Sequence, residues 1–171
     1  FVALNVRRAG GVVGAGAVGI EFASLFARFG SNVTVIEMLP RILPLEDEDI
    51  SAELHKLLGK RRIKLLTGTR LENIAIAGGQ VVATISAANG ETQTVVAEKA
   101  LIAVGRKPVT EGIGLEKLGV ATVRGSIPVD DHMETNVPGV FAIGDVTPTQ
   151  QLAHLASHEG MLVMRHLAGE K

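Results

Sequence analysis

The sequence predicts an α/β fold: a parallel β-sheet interrupted by a three-stranded antiparallel β-meander that stands where a helix would otherwise connect two strands. Three observations carry this prediction. Apolar runs rich in Val and Ile alternate with helical stripes over residues 11–66; the period then shortens to two, in runs divided by Gly78-Gly79 and Asn89-Gly90; and a solid apolar run returns at residues 99–104. Strands buried on both faces read as continuous apolar runs, hairpin strands alternate, and Asn-Gly or Gly-Gly supplies the backbone freedom of a tight hairpin.

Each element follows from its own residues. Residues 11–14 form a short apolar strand, because Arg7, Arg8, Ala9 and Gly10 stand where a longer apolar run would begin. Residues 17–29 form a helix with Val18, Phe22, Leu25, Phe26 and Phe29 on one stripe, ended by Gly30. Residues 32–38, rich in β-branched side chains, form a buried strand. Pro40 and Pro44 mark a loop before a helix over about residues 46–60, with Ile50, Leu54, Leu57 and Leu58 on one face, and residues 63–66 form a third strand. Residues 71–77, 80–87 and 92–97 make the meander. After Pro108 the elements shorten to a helical turn at residues 115–118, strands at 127–129 and 140–143, and a closing helix over about residues 151–167. A domain boundary is expected near Pro108, with residues 1–107 as one domain and residues 108–171, too few to build a core alone, as part of a second.

Composition excludes several functions. Seventeen basic residues against eighteen acidic ones leave no net field to draw nucleic acid or an anionic membrane surface. Five Phe, no Trp and no Tyr leave little to stack on bases. The absence of Cys removes disulfides, thiolate zinc sites and thiol nucleophiles from these residues. Glu21 and Arg28 interrupt the longest apolar stretch well short of a membrane span; Glu21 and the lack of a following small-residue cleavage site also argue against the superficial twin-arginine signal at Arg7-Arg8. A first residue of Phe rather than Met predicts a chain that begins inside a longer reading frame.

Chemistry enters at Gly14-Ala15-Gly16-Ala17-Val18-Gly19, a G-x-G-x-x-G pattern. Its mechanics require a strand before it, a helix after it and an acid at the end of the next strand. All are in register here. The first glycine makes the turn, the second lets the backbone approach a pyrophosphate, and the third lets helix pack on strand. The helix N-terminus offers its free N–H groups to the phosphates. Glu37 falls where a carboxylate accepts both ribose hydroxyls and repels a 2′-phosphate, which favours NAD over NADP. The bland alternative is a Gly-rich turn with no ligand. The fold implied is Rossmann-like.

Gly14 to Glu21, Val33-Thr-Val-Ile-Glu37, Leu101-Ile-Ala-Val-Gly105-Arg106-Lys-Pro108, Thr135 through Gly144-Asp145 and Gln151-Leu-Ala-His154 together resemble the flavin-dependent pyridine nucleotide–disulfide oxidoreductases, and among them the dihydrolipoamide dehydrogenases. The resemblance implies that Gly14, Ala15, Gly16, Ala17, Val18 and Gly19 hold the NAD pyrophosphate and Glu37 the adenosine ribose. Leu71 would touch the adenine side. Ala103, Val104, Gly105 and Arg106 would face the nicotinamide half, and Glu21 would lie near nicotinamide and flavin. Glu21 reads equally as a first-turn carboxylate favoured by the helix dipole. Asp145 would bind the FAD ribityl chain, with the helix N-terminus at Ala153 and His154 aimed at the flavin pyrimidine; a plain capping loop is the simpler reading of that segment.

The resemblance also implies parts that these residues do not contain: an N-terminal FAD segment with its own Gly-rich fingerprint, a redox cysteine pair, and an interface domain whose His-Glu pair completes the partner subunit's site. The expectation is therefore an NAD-binding domain plus an incomplete, FAD-type second segment, inactive alone. Its parent would be a homodimer in the cytoplasm that can dock on a 2-oxo acid dehydrogenase complex, using NAD and FAD and neither nucleic acid nor membrane. Other readings are a non-catalytic dinucleotide-binding module, or a fragment of a mercuric or glutathione-type reductase. His154 and His158 have metal-binding spacing but no third ligand, so no metal is expected; Glu46 to Asp49 read as dipole partners of a helix start, and Arg61-Arg62 as a solvated helix end.

Overall fold

The computed structural model describes residues 9–170. Arg7 and Arg8, on which the export-signal reading rested, lie outside the described residues. The chain divides into two compact units, Phe1–Gly105 and Arg106–Lys171.

The first unit runs β1 (Ala9–Val13), α1 (Ala17–Arg28), β2 (Asn32–Ile36), α2 (Glu48–Lys60), β3 (Lys64–Leu66), β4 (Thr69–Ala77), β5 (Gln80–Ala87), β6 (Thr92–Ala97) and β7 (Lys99–Ile102). The parallel sheet has the order β3-β2-β1-β7, and β4-β5-β6 form a separate antiparallel sheet. The alternation of helices and strands, followed by the change of period, thus becomes the expected α/β architecture with a meander crossover. β1 starts earlier than its apolar residues suggest: Ala9 and Gly10 already pair with Asn32 and Val33. The ladder is made by backbone groups, so small residues extend it without an apolar side chain.

Successive strand residues point to opposite faces, and both faces of this sheet are covered. Val12 and Val35 pack with Ile20, Ala23, Ile42, Leu58 and Ile63 on the helical side. Val13 and Ile36 pack with Ile85 of β5 on the other. The meander replaces the second helical layer because Ile85 and its half-buried neighbours Leu71 and Val95 supply the apolar cover.

Helix faces differ from the sequence reading. In α1 the buried residues are Gly19, Ile20 and Ala23, while Val18, Phe22, Leu25 and Phe29 of the expected stripe are exposed, Phe29 at 67%. Close approach to the sheet selects small side chains: a Cβ on Gly19 would collide with the carbonyl oxygen of Gly14. In α2, Ser51 and Leu58 are buried, and Ile50 and Leu57 are exposed.

The second unit holds α3 (Leu115–Leu118), a 3-10 turn (Gly144–Val146) and α4 (Ala153–Leu167) around Val120, Ile127 and Ala142. The strands expected at residues 127–129 and 140–143 do not form; only the isolated bridges Val123↔Ser126 and Glu134↔Phe141 are made. Pro128 has no N–H to donate to a ladder, and Ile127 N–H goes instead to Val146 O at 2.8 Å. Among the described residues no helix is long and apolar enough to cross a membrane.

Candidate functional site

The Gly-rich loop leaves the C-terminal end of β1. In the sheet, β2 and β3 lie on one side of β1 and β7 on the other. This reversal of strand order is the switch point at which open α/β sheets bind ligands, just beyond the carboxyl ends of the strands. The three glycines meet different surroundings. Gly14 takes φ +95, and a Cβ there would strike the Ala103 carbonyl; Gly19 abuts Gly14 itself; a Cβ on Gly16 would meet nothing within 4 Å. Gly16 is also the N-cap of α1 and, having no side chain, leaves the helix start without a side-chain cap. The N–H groups of the first helical turn, which have no partner within the helix, lie next to this opening, the arrangement that receives an anion. Ala17 and Val18, the first residues of the helix, are exposed beside it.

Ala15 is held within the protein. Its N–H donates to Glu37 Oε2 at 2.6 Å, its carbonyl accepts from Leu43 N–H at 2.8 Å, and its side chain is fully buried. That leaves Gly16 and the first helical N–H groups to meet a ligand. Glu37, just past β2, is 9% exposed; besides Ala15, it accepts from Leu39 N–H through Oε1 at 2.8 Å. A carboxylate has about four lone-pair directions, so these bonds leave capacity for hydroxyl donors. Glu37 thus ties the Gly-rich loop to the end of β2.

The other nucleotide-side candidates spread along the same unit. Ala103, directly after β7, donates to Val13 O at 2.7 Å, which sets residues 103–105 beside Gly14; Val104 and Gly105 are exposed. Leu71 lies on β4 opposite Ile85 and packs half-buried against the meander-side core. Glu21 is exposed, and it is not a first-turn residue: the first turn of α1 carries no acid. The dipole argument for it is therefore weaker than the sequence suggested, because that effect fades beyond the first turn.

In the second unit, Asp145 sits in the 3-10 turn after Gly144, which takes φ +74. Its carboxylate is 3.2 Å from Arg106 Nη2, with both side chains partly exposed. A surface pair of this kind contributes about 0–1 kcal/mol, so it restrains the carboxylate without closing it to a ligand. Arg106, Lys107, Asp145 and Gln151 help line a pocket of about 270 Å³. Ala153 and His154 open α4 and are exposed, and Leu152 at the N-cap provides no side-chain bond.

His158 is exposed like His154, and among the described residues no group of three metal-ligating side chains occurs. Asp47 caps α2 through Asp49 N–H at 2.9 Å, and Glu48 pairs with Arg41 at 2.8 Å. Arg61 is the C-cap of α2. One residue near the second site escaped the sequence reading: Glu159, buried on α4. Its signal was present, because Leu155, Ala156, Gly160, Val163 and His166 form the sheltered helical face and Glu159 falls in their register.

Comparison with known proteins follows this geometry. Residues 4–160 match the family model described as pyridine nucleotide-disulphide oxidoreductase. The chain is 44% identical over 159 residues to the dihydrolipoyl dehydrogenase of Mycobacterium leprae, covering 92% of this chain and 34% of that protein. It is 45% identical over 161 residues to the dihydrolipoyl dehydrogenase of Thermus scotoductus, covering 93% and 35%. Among solved structures it is similar to LpdA of Mycobacterium tuberculosis, with TM-score 0.87 and 32% identity over 98% of this chain and 36% of that one. The HOCl-induced flavoprotein disulfide reductase RclA of Escherichia coli gives TM-score 0.87 and 32% identity over 98% and 38%. The chain spans about a third of the length of these relatives.

Proposed function

The chain belongs to the pyridine nucleotide-disulphide oxidoreductase family, and from that premise we propose that it forms the NAD-binding domain, residues 1–107, and the C-terminal portion of the FAD-binding domain, residues 108–171, of a dihydrolipoamide dehydrogenase. The parent reaction is dihydrolipoamide plus NAD⁺ to lipoamide, NADH and a proton. FAD, when bound, supplies the two-electron relay between the dithiol and the nicotinamide. One observation carries the nucleotide reading: Gly16 opens onto free space while Gly14 and Gly19 are closed by backbone, at the switch point of the sheet.

In this reading Gly16 and the N–H groups of Ala17, Val18 and Gly19 bind the pyrophosphate, while Gly14 and Ala15 shape the loop. Glu37 accepts the ribose hydroxyls and disfavours a 2′-phosphate. Leu71 borders the adenine, residues 103–106 flank the nicotinamide half, and Glu21 approaches the nicotinamide and flavin. Asp145 accepts a ribityl hydroxyl, and the first turn of α4 at Ala153 and His154 meets the flavin pyrimidine. Because these residues include no Cys, they provide binding and orientation without sulfur chemistry. The partners are then NAD, FAD and the remainder of a homodimeric cytoplasmic enzyme, docked on a 2-oxo acid dehydrogenase complex.

Titration of the purified chain with NADH, with an absorbance scan for flavin, tests the reading. Saturable NADH binding is expected, with FAD bound too weakly to be retained through purification but still measurable by titration with added FAD. Failure to bind NADH at any concentration, or tighter binding of NADPH, overturns it. A second reading, the same portion of another flavoprotein disulfide reductase, is favoured by the similarity to RclA; it makes the same nucleotide prediction and differs in the dithiol or other substrate of the parent.

A further inference from the structure

Glu159 is 5% exposed. Among the described residues no cation forms an ion pair with it. Its oxygens are nevertheless both engaged: Oε2 accepts from Gly144 N–H at 2.6 Å, and Oε1 accepts from the Thr149 hydroxyl at 2.9 Å. With the Thr149 hydroxyl hydrogen given to Glu159, the Thr147 hydroxyl is free to donate to Thr149 Oγ1 at 2.8 Å, and the Thr147 backbone N–H donates to the Gly144 carbonyl at 2.9 Å. A closed ring of hydrogen bonds thus joins α4 to both backbone polar groups of Gly144.

Burying a carboxylate without a counter-charge is costly, and an apolar side chain would fill the same space more favourably. The arrangement is understandable if it holds something in place. Asp145 follows Gly144 directly and shares its 3-10 turn. The first turn of α4, with Ala153 and His154, belongs to the same helix as Glu159. The ring therefore sets the spacing between the Asp145 carboxylate and the free N–H groups of the helix start.

We infer that Glu159 is a positioning residue of the flavin site, acting through Gly144 to fix Asp145 relative to the N-terminus of α4. This rests on the reading that Asp145 binds FAD. Glu159 itself touches no ligand in this scheme. Its Gln variant keeps one acceptor oxygen, whereas its Ala variant leaves the Gly144 N–H and the Thr149 hydroxyl without their partner.

The test compares the chain with Glu159→Gln, Glu159→Ala, Thr149→Val, Asp145→Asn and the Glu159→Ala/Asp145→Asn double variant. Two quantities are read: amide hydrogen exchange at Gly144, with Val120 as the reference within the same unit, and FAD affinity by flavin fluorescence. Glu159→Ala is expected to speed Gly144 exchange about tenfold or more relative to Val120, and Glu159→Gln to recover most of that protection. FAD affinity is expected to fall about tenfold in Glu159→Ala and in Asp145→Asn, and no further in the double variant. Unchanged Gly144 exchange, or losses that add in the double variant, overturn the positioning role while leaving Asp145 as the flavin contact. Equal FAD affinity of wild type and Asp145→Asn overturns the flavin reading, and the positioning role with it. Should Glu159→Ala fail to fold, Thr149→Val keeps the carboxylate and removes one donor; it must still loosen Gly144 and weaken FAD for the inference to stand.

Discussion

At Gly14, Gly16 and Gly19 one residue type meets three different neighbourhoods, and substitution by Ala separates them. Gly19→Ala and Gly14→Ala press a Cβ into backbone carbonyls and are expected to lower stability by about 2–4 kcal/mol in urea denaturation. Gly16→Ala meets no atom and lies at φ -70, so stability is expected to change by less than about 1 kcal/mol while NADH affinity falls. Glu37 was legible as an acid after the second strand, but its bond to Ala15 was not, because it joins residues far apart in sequence. Glu37→Ala orphans that buried N–H and is expected to destabilise by about 1–3 kcal/mol, with Glu37→Gln closer to wild type. Asp130 responds to pH through two backbone hydrogen bonds. The backbone N–H of Glu134, then that of His132, hold its carboxyl below the ordinary value against an opposing desolvation, with still smaller help from the charges of His132 and His166. A carboxyl lowered in the folded state contributes stability that is present above its ordinary value and lost as pH falls through the lowered one. Asp130→Asn keeps the acceptor oxygen and cannot ionise, so acid denaturation curves should show a smaller loss between neutral and low pH than in wild type.

At the scale of the element, strands were legible where their interior is apolar on both faces, as at Val35 and Ile36, and helices where a period of 3.6 ran for several turns. The orientation of those helices was not. Of the large apolar residues in and just after α1, Phe22, Leu25 and Phe29 are exposed and Phe26 packs half-buried at the edge of the core, because Gly19, Ile20 and Ala23 occupy the fully buried face. Ile20→Ala is therefore expected to cost about 2–4 kcal/mol, whereas Phe29→Glu should change stability by less than about 0.5 kcal/mol; the reverse order would restore the aromatic stripe as the buried face. Short elements were the least legible. The segments around Pro128 and after Pro138-Gly139 carry β-branched residues and still form no strand, since isolated bridges and a single bond from Ile127 meet their backbone needs.

For the whole molecule, the proposed function assigns binding to these residues and the dithiol reaction to the remainder of the parent. Separate apolar clusters serve the two units, and neither includes Cys. Mixing this chain with dihydrolipoamide, NAD and FAD is expected to yield no NADH above the blank, followed at 340 nm, even where NADH itself binds; turnover in that mixture would contradict the division. The sequence by itself determined the fold class, the Gly-rich loop with its acid, and the family resemblance, because these depend on periodicity and on short motifs whose residues are neighbours along the chain. Tertiary structure alone decided which helix faces are buried, that Ala15 is bound on both sides while Gly16 stays open, and that Glu159 closes a hydrogen-bonded ring around Gly144. Each of those depends on how near a backbone atom from a distant element comes, and that distance is set by packing rather than by spacing along the chain.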